Sequence, residues 1–381
     1  MSKKALIIAG TASMISQFNM TNIEVLKELG YKIEIACDFF HGNNIDEKEK
    51  IRFKQELKDL DIEYHQIDFT RHVLDIFGHI KALNQIKELA KNSHFDVVHT
   101  HMPISAFLTR LAFKNSRKEG SRVFYTAHGF HFFKGSLLIN WLIYYPLEKL
   151  GSRWTDKLIL INNEDYELAK RKMHAKSYYL TPSIGVDTDR FNTNKINKEE
   201  VRNELNIPND SFVLLSCGEL IHKKNQSIVI ETLNRINNKN IYYLIVGIGQ
   251  DKEKLESLIN KYNLNNNVRL LGYRKDIDRL YKSCDVLIHT PLREGLGMAP
   301  LEAMACGLPL ITSNINGIKD YTEDNVSGCL VNPKSIDDIC FSINKMYSDK
   351  DFRDKCSKNN IETVKRYSKE EVRKLLREIY E

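Results

Sequence analysis

Short apolar runs alternate with longer segments of helical periodicity along this chain, and the pattern occurs twice. Strand–helix alternation of this kind is typical of parallel β-sheets covered by helices on both faces. In the first half we predict strands at 4–9, 32–37, 62–67, 96–101, 122–128 and 157–162. In the second half we predict strands at 212–218, 242–247, 268–272, 285–290, 308–313 and 328–331. The chain is therefore predicted to be an α/β protein with two Rossmann-like, doubly wound domains.

The length agrees with two domains, because 381 residues exceed the ~250–300 at which a single hydrophobic core stops growing. Residues 183–200 are polar and lack apolar periodicity, so we place the join there. We predict an N-terminal domain at 1–185 and a C-terminal domain at 195–360, facing each other across a cleft. The pattern at 362–381 is helical, and we expect this last helix to pack back onto the first domain.

Composition narrows the class of protein. Hydrophobic residues make up 42% and charged residues 28%, the balance of a globular protein rather than a disordered or fibrous one. The net charge of +6 is too small to indicate nucleic-acid binding. We expect no signal peptide and no membrane span, since no apolar run approaches ~18 residues. Seven cysteines without a CxxC pair indicate reduced thiols and a cytoplasmic location.

A glycine-punctuated loop precedes a short predicted helix at 299–306. The amides that would face an anion at the positive end of this helix belong to Gly295, Leu296, Gly297 and Met298. Glu294 and Glu302 bracket the loop, and carboxylates accept hydrogen bonds from sugar hydroxyls, so a nucleotide sugar fits better than a phosphate alone. The alternative is that Glu302 only complements the helix dipole.

Lys223 and Lys224 follow the predicted strand that ends at Gly218, near the start of another helix. An ammonium group there would add its charge to the helix amides and bind a diphosphate. The alternative is a pair of solvated surface lysines. A third strand–glycine–helix turn at 246–255 lacks the third glycine of a dinucleotide-binding motif, which makes it weak evidence.

Four motifs together carry a resemblance to a known family: GEL-x3-K at 218–224, VGIGQD at 246–251, NVRLLGYRKDI at 267–277 and EGLGMAPLEAMACGLP at 294–309. In this order and spacing the chain resembles the family 4 glycosyltransferases, which have the GT-B fold. DVVHTHMP at 96–103 and YTAHGFHFFKG at 125–135 are similar to the first domain of bacterial enzymes that extend capsule or exopolysaccharide repeat units on a polyprenyl diphosphate carrier.

The resemblance implies a retaining, metal-independent transfer from a nucleotide sugar, UDP-linked in our interpretation, with no cofactor. It implies that His128, Lys224 and Glu294 act at the reaction centre. The donor would be bound by Gly218, Lys223, Gly272, Tyr273, Arg274, Gly295, Leu296, Gly297, Met298 and Glu302. One departure is Glu219, where many members have an arginine, so that Lys223, Arg274 or Arg293 would have to supply that charge unless Lys224 carries it alone.

For the acceptor, a saccharide linked to a lipid, we assign Gly10, His101 and Lys134 as weaker site residues. The histidines at 99, 101, 128 and 131 also allow a zinc site, although no cysteine or acid lies nearby with ligand spacing. We favour sugar contact by His128 and expect no metal.

The segment 130–150 is aromatic-rich, with Leu138, Trp141, Leu142 and Tyr145 at helical spacing. Lysines flank it, so it predicts either an interfacial helix on an anionic membrane or a helix packed in the core. The first possibility places the protein peripherally on the cytoplasmic face of the membrane.

Other functions share parts of this pattern. A UDP-sugar epimerase can have the same fold and needs no lipid acceptor. A non-catalytic nucleotide-sugar sensor would keep the same ligand residues. A dinucleotide-dependent oxidoreductase is disfavoured by the incomplete glycine motif.

Overall fold

The structure is a computed structural model that describes residues 3–42, 47–70, 72–133, 135–191 and 196–381. The chain forms two compact units. The first unit comprises Met1–Ile184 and Val372–Glu381, and the second unit comprises Gly185–Glu371. The last ten residues of the chain thus belong to the first unit, while the segments 185–194 and 361–371 belong to the second.

Each unit contains one parallel β-sheet. The strands of the first unit are β1 (Lys4–Ile8), β2 (Lys32–Cys37), β3 (Glu63–Gln66), β4 (Val97–His101), β5 (Arg122–Ala127), β6 (Lys157–Leu160) and β7 (Ser177–Leu180). Those of the second unit are β8 (Phe212–Cys217), β9 (Ile241–Val246), β10 (Val268–Gly272), β11 (Val286–His289), β12 (Leu310–Ser313) and β13 (Gly328–Val331).

The strand order places a switch point in each sheet. In the first unit the order is β3-β2-β1-β4-β5-β6-β7, so the direction of winding reverses between β1 and β4. In the second unit the order is β10-β9-β8-β11-β12-β13, with the reversal between β8 and β11. Ligands of open α/β sheets bind outside the carboxyl ends of the strands at such points.

The helices between the strands are α1 (Ala12–Phe18), α2 (Met20–Glu28), α3 (Glu47–Asp59), α4 (Ile76–Asn92), α5 (Pro103–Ala112), α6 (Leu138–Ser152) and α7 (Asn163–Lys172) in the first unit. The second unit contains α8 (Thr188–Phe191), α9 (Lys198–Glu204), α10 (Gln226–Ile236), α11 (Lys252–Lys261), α12 (Ile277–Ser283), α13 (Met298–Ala305), α14 (Ile336–Ser348) and α15 (Lys350–Val364). The last helix is α16 (Lys369–Tyr380).

Both faces of the first sheet are buried. On β1, Ala5 and Ile7 belong to one apolar cluster, while Leu6 and Ile8 belong to another. This alternation follows from the two-residue period of a strand. Helix α16 packs Val372 and other apolar side chains into the cluster that contains Ile7. The extreme carboxyl end of the chain is therefore part of the first unit's core.

The fold class is confirmed, since both halves are doubly wound parallel sheets. Eleven of the twelve predicted strands lie within their predicted runs, and β9 has the predicted length but begins one residue earlier, at Ile241. Strand β7 was missed. It lies at the sheet edge and its four residues are only half-buried, so it carries no continuous apolar run. Among the described residues, no helix has the length and apolar character needed to cross a membrane.

Candidate donor site in the second unit

The loops that follow β8 and β11 meet at the switch point of the second unit. Lys224 Nζ forms an ion pair with Glu294 Oε2, although the two residues are 70 positions apart. His289 Nε2 lies 3.3 Å from the same carboxylate oxygen. Two of the three predicted reaction-centre residues are thus brought together, along with a histidine that the sequence analysis did not single out.

Backbone and side-chain contacts hold Lys224 in place. It ends a 3₁₀ turn, His222–Lys224, and Asn225 follows with a positive φ of 61°. The Asn225 side-chain amide donates to the carbonyl oxygens of Thr290 (3.0 Å) and Pro333 (2.8 Å). Asparagine is one of the few residues that adopt this backbone conformation at low cost. Asn225 therefore ties the lysine turn to the end of β11.

The 3₁₀ segment Gly317–Asp320 and the residues next to it contact the backbone of the glycine loop. The Tyr321 hydroxyl donates to the carbonyl of Leu296 at 2.9 Å, and the Asn316 amide donates to the carbonyl of Glu294. A Cβ atom on Gly317 would lie 1.7 Å from the Gly295 carbonyl oxygen, so only glycine fits there. These contacts hold the loop through its carbonyl groups. The amides of the loop lie at the start of α13 and are not used in these contacts.

Helix α13 begins at Met298, one residue before the predicted start, with Gly297 as its N-cap at φ 86°. Pro300 lies in its first turn and Gly307 follows its end with φ 79°. The Gly295 amide already donates to Glu294 Oε1 at 3.3 Å. An anion at this helix end would face amide donors and the positive end of the helix dipole.

The two glutamates of this region have opposite protonation behaviour. Burial alone would raise the pKa of Glu294, but the hydrogen bond from His289 and the charge of Lys224 hold it well below its usual range. Burial raises the pKa of Glu302 to about 7, which the hydrogen bond from Tyr281 Oη (3.0 Å) only partly offsets. Glu294 is therefore a permanent carboxylate, whereas Glu302 changes its charge near neutral pH.

Positive charge is concentrated beside Glu294. Burial lowers the pKa of Lys223, and the charges of Lys224 and Arg293 lower it further against the opposing effect of Glu294. Glu219, which stands where many family 4 enzymes have arginine, is exposed. Arg274 is engaged in a two-point hydrogen bond with Asp276, at 2.8 and 2.6 Å. Lys223 is therefore close enough to Lys224 and Arg293 for both charges to act on it.

The remaining donor-site predictions lie at the ends of β8 and β10. Gly218 has φ 149°, and a Cβ atom on Gly247 would lie 1.9 Å from its carbonyl oxygen. This close contact between two backbones explains the glycine turn after β9 without a dinucleotide. Gly272 ends β10 with φ 66°, and the neighbouring Tyr273 is exposed.

Several residues of this site were not found in the sequence analysis: His289, Tyr281, Asn225, Asn316 and Tyr321. Four of them contact a predicted site residue or its backbone. Asn225 instead donates to the carbonyl oxygens of Thr290 and Pro333. For His289 a signal was available, because it ends a buried strand next to the glycine loop. The others lie in segments without a distinguishing pattern.

Histidine cluster and cavity in the first unit

Three of the four histidines noted in the sequence meet at the carboxyl ends of β4 and β5. His101 Nδ1 lies 3.2 Å from His128 Nε2, and the His99 and His101 rings are 4.3 Å apart between centroids. Burial lowers the pKa of His99 to about 3 and of His128 to about 4, and lowers the pKa of His101 as well. These imidazoles are therefore neutral at physiological pH.

The proton positions on His99 follow from a chain of hydrogen bonds. The side-chain amide of Asn19 donates to the Met14 carbonyl at 3.0 Å. The Asn19 side-chain oxygen therefore faces Asn22 and accepts from the Asn22 amide. The Tyr380 hydroxyl then donates to Asn22 Oδ1 at 2.9 Å. The hydroxyl oxygen of Tyr380 accepts a hydrogen bond from His99 Nδ1 at 2.6 Å. His99 Nε2 therefore carries no proton and accepts from the Thr126 hydroxyl at 2.8 Å.

In the described part of the chain, His101 Nε2 is buried without a hydrogen-bond partner. A buried N–H without an acceptor is costlier than a bare lone pair, so the proton of His101 belongs on Nδ1. His101 then donates to His128 Nε2, and His128 carries its own proton on Nδ1. His131 lies apart from this contact and stacks on Tyr144, with centroids 4.5 Å apart.

A cavity of about 720 Å³ lies at the switch point of the first unit. The predicted acceptor residue Gly10 lines it together with Met102, which follows β4, and Ser105 of α5. Met102 has a positive φ of 69°, an uncommon conformation for a residue with a side chain, just before α5. His101 is not among the lining residues, and Lys134 lies outside the described residues.

The aromatic segment 130–150 divides its residues between two environments. Trp141 and Tyr145 pack on the buried Phe132, with centroids 5.4 Å from it. Leu138 and Leu142 are exposed. Glu148 is buried and bonded to Arg110 at 2.8 Å and to the Tyr125 hydroxyl at 2.7 Å. Helix α6 is therefore anchored through one face and presents an aliphatic face to the outside.

Family of the protein

Two doubly wound parallel-sheet units, with a lysine–glutamate pair and a glycine loop at the second switch point, define a glycosyltransferase of the GT-B fold. Comparisons with known proteins give the same class. The family model described as "Glycosyl transferases group 1" matches residues 197–363, and "Glycosyl transferase 4-like" matches residues 12–163.

Two curated relatives extend the match along the chain. The EpsD protein of Bacillus subtilis (strain 168), itself assigned to the glycosyltransferases, is 30% identical over 100% of this chain and 97% of its own length. The "UDP-Gal:alpha-D-GlcNAc-diphosphoundecaprenol alpha-1,3-galactosyltransferase" of Escherichia coli is 31% identical over 73% of each chain. The chain belongs to the glycosyltransferases.

The fold is shared with the solved structure of Anabaena Alr3699/HepE in complex with UDP. The TM-score is 0.80, at 19% sequence identity, and the match covers 99% of both chains. At this identity the comparison establishes the fold alone.

Proposed function

We propose that this protein transfers a hexose or N-acetylhexosamine from a UDP-sugar to a saccharide carried on polyprenyl diphosphate, with retention of configuration. The observation that carries the proposal is the contact of Lys224, Glu294 and His289 at the start of α13. The reaction would belong to capsule, exopolysaccharide or related surface-glycan synthesis. The name of the Escherichia coli relative describes a saccharide acceptor linked to diphosphoundecaprenol.

The donor would bind with its diphosphate against the amides of Gly295 to Met298. Lys224 would leave Glu294 for the diphosphate, which frees the carboxylate to accept hydrogen bonds from the donor sugar. Glu302 would accept hydrogen bonds from the ribose, and the segment from Gly272 to Arg274 would hold the base. Lys223 and Arg293 would supply the charge that Glu219 cannot.

The chemistry would be mainly electrostatic. As the bond between the sugar C1 and the β-phosphate oxygen breaks, Lys224 and the helix amides would stabilise the negative charge on the departing UDP. The acceptor hydroxyl would attack C1 from the same face and give its proton to the diphosphate oxygen. This requires no metal and no cofactor, because cationic side chains and amides neutralise the leaving group. His128, neutral and with a proton on Nδ1, would donate a hydrogen bond to the sugar.

The acceptor would be held by the first unit, whose cavity opens at its own switch point. A lipid-linked acceptor resides at a membrane, so the protein would act peripherally on its cytoplasmic face. The name of a second relative, the N,N'-diacetylbacillosaminyl-diphospho-undecaprenol N-acetylgalactosaminyltransferase of Campylobacter jejuni, describes an acceptor of the same chemical class.

The test is release of UDP from a panel of UDP-sugars, with and without an undecaprenyl-diphosphate-linked saccharide. We expect acceptor-dependent release, and a fall of roughly 10–100-fold for Glu294→Gln, which removes a charged hydrogen-bond acceptor. Glu253→Gln on α11, an exposed glutamate, is the matched control. Conversion of a UDP-sugar without acceptor and without UDP release would indicate an epimerase and contradict the proposal.

A further inference from the structure

His101 is buried too deeply in the histidine cluster to touch a bound sugar. Its side chain is 1% exposed, and it is not among the residues that line the cavity of the first unit. Its Nδ1 atom lies 3.2 Å from Nε2 of His128, which is only half-buried. Any part that His101 plays in binding or catalysis must therefore act through His128.

The neighbouring His99 ring cannot accept the hydrogen bond of His101, although the two rings are in contact. Nδ1 of His99 donates to the Tyr380 hydroxyl of α16 at 2.6 Å. Nε2 of His99 accepts from the Thr126 hydroxyl at 2.8 Å. Both nitrogens of His99 are thus engaged. Within the described residues, this leaves His128 Nε2 as the partner of His101 Nδ1.

Burial sets the direction of the hydrogen bond between His101 and His128. If His128 Nε2 were the donor, the neutral His101 ring would carry its single proton on Nε2. In the described part of the chain that nitrogen is buried without a partner. A buried N–H without an acceptor costs more than a bare lone pair, so the proton of His101 lies on Nδ1 and is donated to His128.

This hydrogen bond decides which nitrogen of His128 carries a proton. A donor placed against one nitrogen of a neutral imidazole puts the proton on the other nitrogen. His128 is therefore protonated on Nδ1, which makes no hydrogen bond among the described residues. Phe18 packs edge-on against the same ring, with centroids 6.0 Å apart. His101 and Phe18 thus hold the ring of His128 and leave its N–H for a ligand.

We infer that His101 is a positioning residue for the transfer reaction: its Nδ1–H fixes the tautomer and the orientation of His128, which then presents Nδ1–H to the donor sugar. The contact between the sugar and His128 rests on the proposed function, whereas the tautomer is a property of the free protein. Tyr380 and Thr126 support the arrangement because they occupy both nitrogens of His99. The last helix of the chain therefore contributes to the order of the cluster.

The alternative is that His101 only fills space in the core. Two substitutions distinguish these roles. His101→Leu keeps most of the volume of the ring but removes the donor, whereas His101→Asn loses volume but retains an N–H near the position of Nδ1. If His101 fills space, the leucine variant should be the better enzyme. If His101 positions His128, the asparagine variant should be the better one.

The first test is heteronuclear NMR of the full chain with isotope-labelled histidine. Couplings between the ring protons and the ring nitrogens identify the protonated nitrogen, and His128 is assigned by the loss of its signals in His128→Gln. We expect the Nδ1–H tautomer in wild type and in His101→Asn, and a shift toward the Nε2–H tautomer in His101→Leu. A wild-type His128 protonated on Nε2 would overturn the inference, and this measurement does not require either His101 variant to fold.

The second test is kcat and KM for the UDP-sugar with the polyprenyl-linked acceptor. His101→Leu should lower kcat about tenfold with little change in KM, the loss expected for one neutral hydrogen bond made in the transition state. His101→Asn should recover most of this loss. The matched control is Thr109→Val on α5, which removes a buried hydroxyl that donates to the Ser105 carbonyl at 2.7 Å and should leave kcat unchanged.

The outcomes separate this inference from the proposed function. An asparagine variant that is no better than the leucine variant would overturn the positioning role of His101. A changed tautomer of His128 with an unchanged kcat would do the same. A tautomer that responds to the His101 substitutions, in a protein that transfers no sugar, would support the contact between the two histidines and contradict the proposed function alone.

Discussion

Each unit of this protein buries a cluster of titratable side chains at the carboxyl ends of its strands. The cluster of the second unit contains ionised groups, whereas the cluster of the first unit is uncharged. In the second unit, Glu294 remains ionised because Lys224 and His289 lie against it. In the first unit, His99, His101 and His128 have only each other and neutral partners, so burial keeps them uncharged. The comparison shows that burial alone does not decide charge. A buried group stays charged where an opposite charge is held beside it.

This difference gives the clusters different chemical capacities. In the proposed function, an anionic donor would separate the Lys224–Glu294 pair, because the lysine would gain the diphosphate as a partner and the glutamate would gain the sugar. The histidine cluster offers oriented hydrogen bonds without a net charge. It suits contact with a neutral sugar hydroxyl better than contact with a phosphate.

The largest effect is expected from removing the lysine charge. Lys224→Met keeps most of the side-chain volume and should lower kcat by about 10²–10³-fold, the usual loss when a single stabiliser of a developing anion is removed. Steady-state UDP release measures it, with Lys254→Met on α11 as control. An effect within a factor of two would mean that Lys223 or Arg293 carries the charge, and would weaken the contrast between the two units.

Acidification should destabilise the first unit before the second. The histidine pKa values are lowered in the folded state, so their contribution to stability is full above the unfolded pKa of about 6.5 and is lost as the pH falls toward about 3–4. In the second unit His289 behaves likewise, but Glu302, whose pKa is raised, opposes it by favouring the folded state as the pH falls.

Between pH 7 and pH 5 we therefore expect the free energy of opening to fall by at least about 1 kcal/mol more in the first unit. Amide hydrogen exchange, read separately on strands β4 and β5 and on β8 and β11, measures this difference. Equal loss of protection in the two sheets would show that the histidines are not held neutral.

The smallest effect concerns Glu302. As a carboxylate it accepts two ribose hydrogen bonds, and as an acid it accepts fewer, so UDP affinity should rise several-fold as the pH increases through about 7. Calorimetric titration of wild type and Glu302→Gln measures it. Ionisation of UDP itself is common to both proteins, so the ratio of their affinities isolates the glutamate. A ratio independent of pH would remove Glu302 from the ribose site.

Local sequence patterns were sufficient to predict most of the strands. Apolar runs and helical periodicity predicted twelve strands, since most strands of a parallel sheet are buried on both faces. The edge strand β3 was predicted as well, although its residues are exposed or half-buried. The half-buried edge strand β7 lacks this signature and was missed. The loop 294–298 and the helix after it were predicted nearly to the residue, since glycine and proline act on the local backbone.

By itself, the sequence determined the fold class, the glycine loop and the residue types that we propose bind sugar and phosphate. The tertiary structure decided which of them meet. It paired Lys224 with Glu294 and His289, placed Tyr321 and Asn316 under the loop, and left Arg274 with Asp276. It also divided α6 into a buried aromatic face and an exposed aliphatic face. The physical reason is that propensity and periodicity act over a few residues, whereas contacts across 70 positions follow from strand order.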